Sequence, residues 1–247
     1  MNTVTMMEIS FLNITMFAIV AVMTSFIGMK LYLVLPPSWL CEYDELPGDE
    51  HGRDARLFGR CSESFLIFSG ASLCFAALCW NLYCFQMMSA FGYEISILLF
   101  LFKVSVVFIV LYISALSDLR YRIIPDQSGI ILVLSALIFA ILEEDRLAAF
   151  LNVGIGTAVA GGLMMMTAVV SCLFYGNNAM GFGDVKLMAS CGAVVGGTNA
   201  AGIFVIASLS SAIYFVAGLL SKKFKSDETQ AMAPWIGLAT IICVYIN

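Results

Sequence analysis

Charge is scarce in this sequence. Its 247 residues include 12 Lys and Arg and 17 Asp and Glu, 12% in all, whereas a soluble domain carries about 25%. That shortage excludes an ordinary soluble globule, and the 61% hydrophobic content agrees. A basic excess is also missing, because the net charge is −5, so no strongly basic face for nucleic acid is expected. There is no internal repeat and no low-complexity segment, which removes the paired halves on which many secondary transporters are built. The opening MNTVTMMEIS lacks the basic segment of a cleaved signal peptide, so the first apolar run is expected to be retained.

What is present is a series of long apolar runs. A spanning helix needs roughly 20 mostly apolar residues. Eight stretches meet or approach that length: 9–34, 64–85, 93–116, 128–142, 148–174, 187–199, 200–220 and 233–246. The fourth, sixth and eighth are short. Together they predict an all-α integral membrane protein, a polytopic bundle of about eight transmembrane helices with one sizeable loop at 35–63.

Basic residues set the orientation. Arg53, Arg56, Arg60, Arg120, Arg122, Lys186, Lys222, Lys223 and Lys225 fall in odd-numbered loops, against Arg146 alone in the even ones. Lys and Arg accumulate on the cytoplasmic side, so the odd loops are expected there and both termini outside. Of eight cysteines, Cys74, Cys79, Cys84, Cys172, Cys191 and Cys243 sit in or beside apolar runs and read as small hydrophobes in helix packing. Cys41 and Cys61 share the first loop, where a cytoplasmic setting keeps thiols reduced.

Most acids lie in loops, where a solvated charge needs no explanation. Asp118, in ISALSDLRYRIIPD, directly follows the third run, and Asp184, in MGFGDVKL, directly precedes the sixth. Both are expected at the cytoplasmic edge, on different helices. Charge at the hydrocarbon boundary costs about a few kcal/mol or more, so an ionisable residue there is a functional candidate. Two carboxylates in close approach share one proton. The ionised one can then activate a water while the protonated one polarises a carbonyl. Gly181 and Gly183 flank this site, and their missing Cβ atoms allow unusual backbone angles or the close approach of an extended peptide. The plainer alternative is a glycine turn with Asp184 as helix N-cap. Asp126, after Pro125, reads first as a helix start, and Arg120, Arg122 and Lys186 as interfacial anchors. Lys103, inside the third run, needs a partner or a path to water.

SDLRYRIIPD followed by MGFGDVKLMA resembles the paired signature of the type IV prepilin peptidases, a family of Gly-x-Gly-Asp membrane aspartyl proteases. The match runs through Asp118, Ile124, Pro125, Asp126, Gly181, Gly183, Asp184 and Lys186. SFIGMKLYLVLP at 25–36 is similar to the family's GSFLNVVIYRLP, and QAMAPWIGLA at 230–239 more loosely to its IPFGPFLALG. The resemblance implies an enzyme of the bacterial inner membrane with its active site on the cytoplasmic side. Such an enzyme serves type IV pili or type II secretion, removing the basic leader of prepilins or pseudopilins. Asp118 and Asp184 would be the catalytic pair, with Gly181, Gly183, Lys186 and Asp126 supporting the substrate or the site. No cofactor is implied for peptide cleavage.

Many family members also methylate the new N-terminus with S-adenosylmethionine, and their first loop often carries two Cys-x-x-Cys pairs. Here each pair has lost its second cysteine, since Asp44 follows Cys41 and Ser64 follows Cys61. Tetrahedral zinc wants four good ligands, and Cys41, Cys61, His51 and Asp44 lack any standard spacing, so a plain loop is the simpler reading. The resemblance divides the chain into a methyltransferase-like N-terminal region, 1–92, and a peptidase membrane domain, 93–247. Prepilin substrate and membrane lipid are the expected partners. A peptidase alone, a protease that cuts within the bilayer and a channel or transporter remain as alternatives.

Overall fold

A computed structural model describes residues 3–35, 97–175, 181–221 and 230–246, and among them every regular element is an α-helix. In chain order these are α1 (Thr3–Val34), α2 (Ile97–Tyr121), α3 (Asp126–Leu142), α4 (Arg146–Tyr175), α5 (Phe182–Val195), α6 (Ala200–Leu220) and α7 (Ala233–Ile246). They answer to seven of the eight apolar runs. The 64–85 run lies outside the described residues, as do the first-loop positions Cys41, Asp44, His51 and Cys61 and the basic cluster Lys222, Lys223 and Lys225.

The described residues fall into two compact units, one with residues 3–35 and 97–112, the other with 113–175, 181–221 and 230–246. In the first, Ala21, Thr24, Ser25, Met29 and Tyr32 are buried. Their spacing of three and four residues puts them on one face of α1. Gly28 shares that face, and a Cβ there would lie 3.1 Å from the Tyr112 ring. On α2, Val104, Val107, Phe108 and Leu111 are buried at the same spacing.

In the second unit α5 is the centre. It packs against α3, α4, α6 and α7, and Val185, Leu187, Met188 and all of 190–195 are buried. Its sequence permits this because it is built largely of small residues. A Cβ on Gly192 would lie 2.2 Å from the Gly156 carbonyl oxygen, and one on Gly156 would lie 2.2 Å from the Gly192 oxygen. α4 and α5 are therefore in backbone contact, as small residues allow between membrane helices. α5 stops at Gly196, whose φ of +84° suits glycine alone. There Asn152 of α4 accepts a hydrogen bond from the Gly197 N–H at 2.7 Å.

The outer helices turn apolar side chains outward. Leu151, Ile155, Met166, Leu173 and Phe174 of α4 and Leu209, Ile213 and Leu220 of α6 are exposed, as lipid-facing residues are. Three helical stretches are long and apolar enough to cross a membrane: Phe102–Leu119, Arg146–Phe174 and Ala200–Leu220. Ala18–Tyr32, Asp126–Leu142 and Ala233–Cys243 are shorter apolar helices. The chain is a polytopic helical membrane protein.

Two boundaries differ from those read in the sequence, and both concern the acids. The third run was expected to end at 116, but α2 continues to Tyr121, so Asp118 lies inside its last turn. Hydropathy marks where apolar residues stop, whereas the helix stops only where Arg122 turns to φ 58°. The sixth was expected over 187–199, but α5 begins at Phe182 and ends at Val195. Asp184 therefore sits in its first turn, ahead of the apolar stretch from Leu187.

Candidate active site

The connection from α2 to α3 is short and tightly pinned. Arg122 adopts the left-handed conformation, unusual for a side chain other than Gly, Asn or Asp, and its N–H reaches the Asp118 carbonyl at 3.0 Å. Ser117 Oγ donates to the Ile123 carbonyl at 2.7 Å. Pro125 then occupies the N-cap position of α3 in extended conformation, and Ser128 Oγ donates back to its carbonyl at 2.6 Å. Asp118 and Asp126 are thus fixed at the two ends of one rigid corner.

Asp118 is buried, at 5% exposure. Its Oδ2 accepts the backbone N–H of Ala233, the first residue of α7, at 2.8 Å. The Met232 backbone also hydrogen-bonds it, and the Arg122 charge acts on it. Burial disfavours its ionised form, while these backbone donors and the cation favour it.

Asp184 is different. Among the described residues no side-chain hydrogen bond to it is formed. Burial, and after it the charge on Asp118, pushes its pKa up to about 7. The two acids expected at one membrane edge are therefore close enough to feel each other, and of the two it is Asp118 that backbone donors hold. Two carboxyl groups in such proximity can share one proton.

The glycines act differently from one of the two expectations. Gly181 has an ordinary φ of −72° as N-cap of α5, and Gly196 alone among the described glycines has positive φ. What Gly181 and Gly183 provide is space. A Cβ on Gly181 would sit 3.7 Å from Asp184 Oδ2, and one on Gly183 would sit 3.4 Å from Ile124 Cβ. The first would cover the carboxylate, and the second would fill the gap against the α2–α3 corner. The N-cap alternative for Asp184 fails as well, because Gly181 holds that position.

Asp126 does not cap α3 through its side chain; Pro125 is the N-cap, with no side-chain cap bond. Instead Asp126 Oδ1 pairs with Lys186 Nζ at 2.8 Å, tying the first turn of α3 to the first turn of α5. The Lys186 ammonium also lies 5.4 Å from the Phe182 ring centroid. Both partners are partly solvated, so the pair is worth under about 1 kcal/mol; it links the two helix starts with little gain in stability. The sequence reading did not find the grip of Met232 and Ala233 on Asp118. Its only signal was Pro234, which marks a helix start, and a backbone donor carries no residue identity.

Residues 105–216 match the model of the type IV leader peptidase family. That stretch contains Asp118, Asp126, Gly181, Gly183, Asp184 and Lys186. The resemblance read from the motifs thus holds across the corner and α5. A prepilin leader peptidase/N-methyltransferase of Bacillus subtilis (strain 168) is 30% identical over 159 residues, 62% of this chain and 59% of that relative. The chain matches only about three-fifths of that relative's length. No solved structure matches.

Proposed function

We propose that this chain is a prepilin leader peptidase of the bacterial inner membrane. It cuts the basic leader from type IV prepilins or pseudopilins at the cytoplasmic face. The observation that carries the reading is the meeting of Asp118 and Asp184 in unlike environments within the stretch matched by the family. The Lys and Arg asymmetry supports the cytoplasmic side.

The chemistry follows from the asymmetry. Asp118, held by the Ala233 and Met232 backbone beside Arg122, is the ionised partner, and Asp184 carries the shared proton. A water between them gives its proton to Asp118 while its oxygen attacks the scissile carbonyl, whose oxygen takes the proton of Asp184. The tetrahedral diol then collapses. The carbon–nitrogen bond breaks, Asp118 passes its proton to the leaving amine, and Asp184 recovers the hydroxyl proton. Gly181 leaves the Asp184 carboxyl uncovered for the incoming backbone.

Methylation of the new N-terminus, with S-adenosylmethionine as donor, is a second activity. It is supported by the name of the Bacillus subtilis relative and by the layout of the first loop. The loop residues tied to it, Cys41 and Cys61, lie outside the described residues, and zinc is not assigned to them.

Co-expression with a candidate prepilin, followed by the N-terminal mass of the product, tests both activities. The wild type should shorten the pilin by its leader, and Asp118→Asn and Asp184→Asn should not. An added methyl group establishes the second activity, and its absence leaves a peptidase alone. Full cleavage by either variant sinks the dyad. An intact pilin with wild type returns the channel or transporter reading.

A further inference from the structure

The end of the second unit that holds the two acids has little other negative charge. Among the described residues the carboxylates of this unit are Asp118, Asp126, Glu143, Glu144, Asp145 and Asp184. Glu143, Glu144 and Asp145 follow the far end of α3, whose 17 residues set them about 25 Å from Asp126. Asp118 is buried, with the Ala233 N–H on its Oδ2, and in the proposed chemistry Asp184 is committed to the scissile carbonyl. Among the described residues, Asp126 is therefore the one carboxylate at this end that lies outside the pair. Its side chain is 34% exposed, so an incoming cation can reach it.

Arg120 and Arg122 at the end of α2 and Lys186 in α5 bring positive charge to the same end. A basic peptide approaching it meets like charge, which opposes binding, and Asp126 offsets that. Asp126 is also near the pair. A Cβ on Gly183 would lie 3.4 Å from Ile124 Cβ. Gly183 adjoins Asp184, and Ile124 is two residues before Asp126. With consecutive Cα atoms about 3.8 Å apart, the Cα atoms of Asp126 and Asp184 lie within about 18 Å of each other. That is the span of roughly five extended residues. Lys186 Nζ holds Asp126 Oδ1 at 2.8 Å. A carboxylate offers about four acceptor sites on its two oxygens, so a second cation can join without displacing the first.

We propose that Asp126 is a specificity-determining residue that receives a Lys or Arg of the substrate's leader, within about five residues of the bond cut. The inference rests on the peptidase reading and adds to it the part of the substrate that this acid selects. Both charges stay partly solvated, so the contact sorts substrates by attraction rather than by tight binding. A contact of that strength also lets the severed leader leave.

The test uses the full chain in lipid nanodiscs and two prepilins that differ only in the leader, one native and one with its Lys and Arg changed to Gln. Wild type, Asp126→Asn and Asp126→Glu are compared on both. Wild type should prefer the basic leader. Asp126→Asn should lose about three- to fivefold of that preference, mainly in KM, near the upper end for a partly solvated ion pair. The preference should return in Asp126→Glu and fade as salt rises. Two substrates on one enzyme preparation cancel any difference in folded protein. An unchanged preference in Asp126→Asn, whether both rates fall or neither does, means that the acid serves only to join α3 to α5, and overturns the proposal. A wild type that cleaves both prepilins alike overturns it too and leaves the peptidase reading standing. One that cleaves neither removes that reading, and this proposal with it.

Discussion

On the proposed peptidase reading, Gly192→Ala should lower cleavage from within the bundle, at a distance from both carboxyl groups. The added Cβ would meet the Gly156 carbonyl oxygen at 2.2 Å and the Ala160 Cβ at 2.6 Å. The first of these is backbone, so no rotamer change relieves it. Ordinary contact begins at 3.4 Å, which requires α4 and α5 to part by about 1.2 Å. Overpacking of this kind costs about 1–3 kcal/mol. Asp184 lies eight residues before Gly192 on the same helix, about 12 Å along its axis, and moves with it. A displacement of about 1 Å at reacting groups lowers rates about 100-fold. Thermal unfolding in nanodiscs and initial rates of prepilin cleavage check the two parts. Gly154→Ala and Gly162→Ala on α4 are the controls, because an added Cβ at either meets nothing within 4 Å. They should keep full activity and gain up to about 1 kcal/mol from the loss of helical glycine. Wild-type Tm and rate in Gly192→Ala would refute the backbone contact between α4 and α5.

Asp184, with its pKa at about 7, must keep its proton to polarise the carbonyl. Cleavage should therefore fall as pH rises through about 7, and a rate still climbing at pH 8.5 counts against Asp184 as the acid. Gly181→Ala places a methyl group 3.7 Å from Asp184 Oδ2 without straining a φ of −72°. Its Tm should stay within about 0.5 kcal/mol of wild type while kcat/KM drops; equal activity would show that the glycine does not keep the carboxyl open. Asp126→Lys and Lys186→Asp should each weaken activity modestly, with less than about 1 kcal/mol lost from stability. Their combination should recover what either loses, and failure of the double variant to do so would mean the pair does not align α3 with α5.

The helices were legible because lipid-facing helices must be apolar over most of their length, so residues such as Leu151, Ile155 and Leu173 announce α4 directly. The ends were less so. Hydropathy placed Asp118 outside α2 because it is charged, yet the backbone continues through it until Arg122 turns. The paired acids stood out for the same reason, as charges at the margin of apolar runs. The glycines were misjudged in part. A sequence offers two uses for Gly-x-Gly, backbone freedom and open space, and only the surroundings of Asp184 and Ile124 show that the second applies. Asn152 on Gly197, Lys186 on Asp126 and Ala233 on Asp118 were not legible at all. Each joins residues far apart in the chain, and the Ala233 contact uses a peptide N–H that almost any residue would supply.

The bond from Ala233 to Asp118 crosses 115 residues of chain. Ribosomes add about 5–20 residues per second, so Asp118 waits roughly ten seconds in the growing protein before its backbone donors exist. By the end of that interval α2, α3 and α5 have been made with both carboxyl groups, and Asp118 still lacks the donor from Ala233. On the proposed peptidase reading, competence to cut peptide bonds arrives with α7, and an interrupted chain that stops before it carries the acids without the backbone donors that hold Asp118.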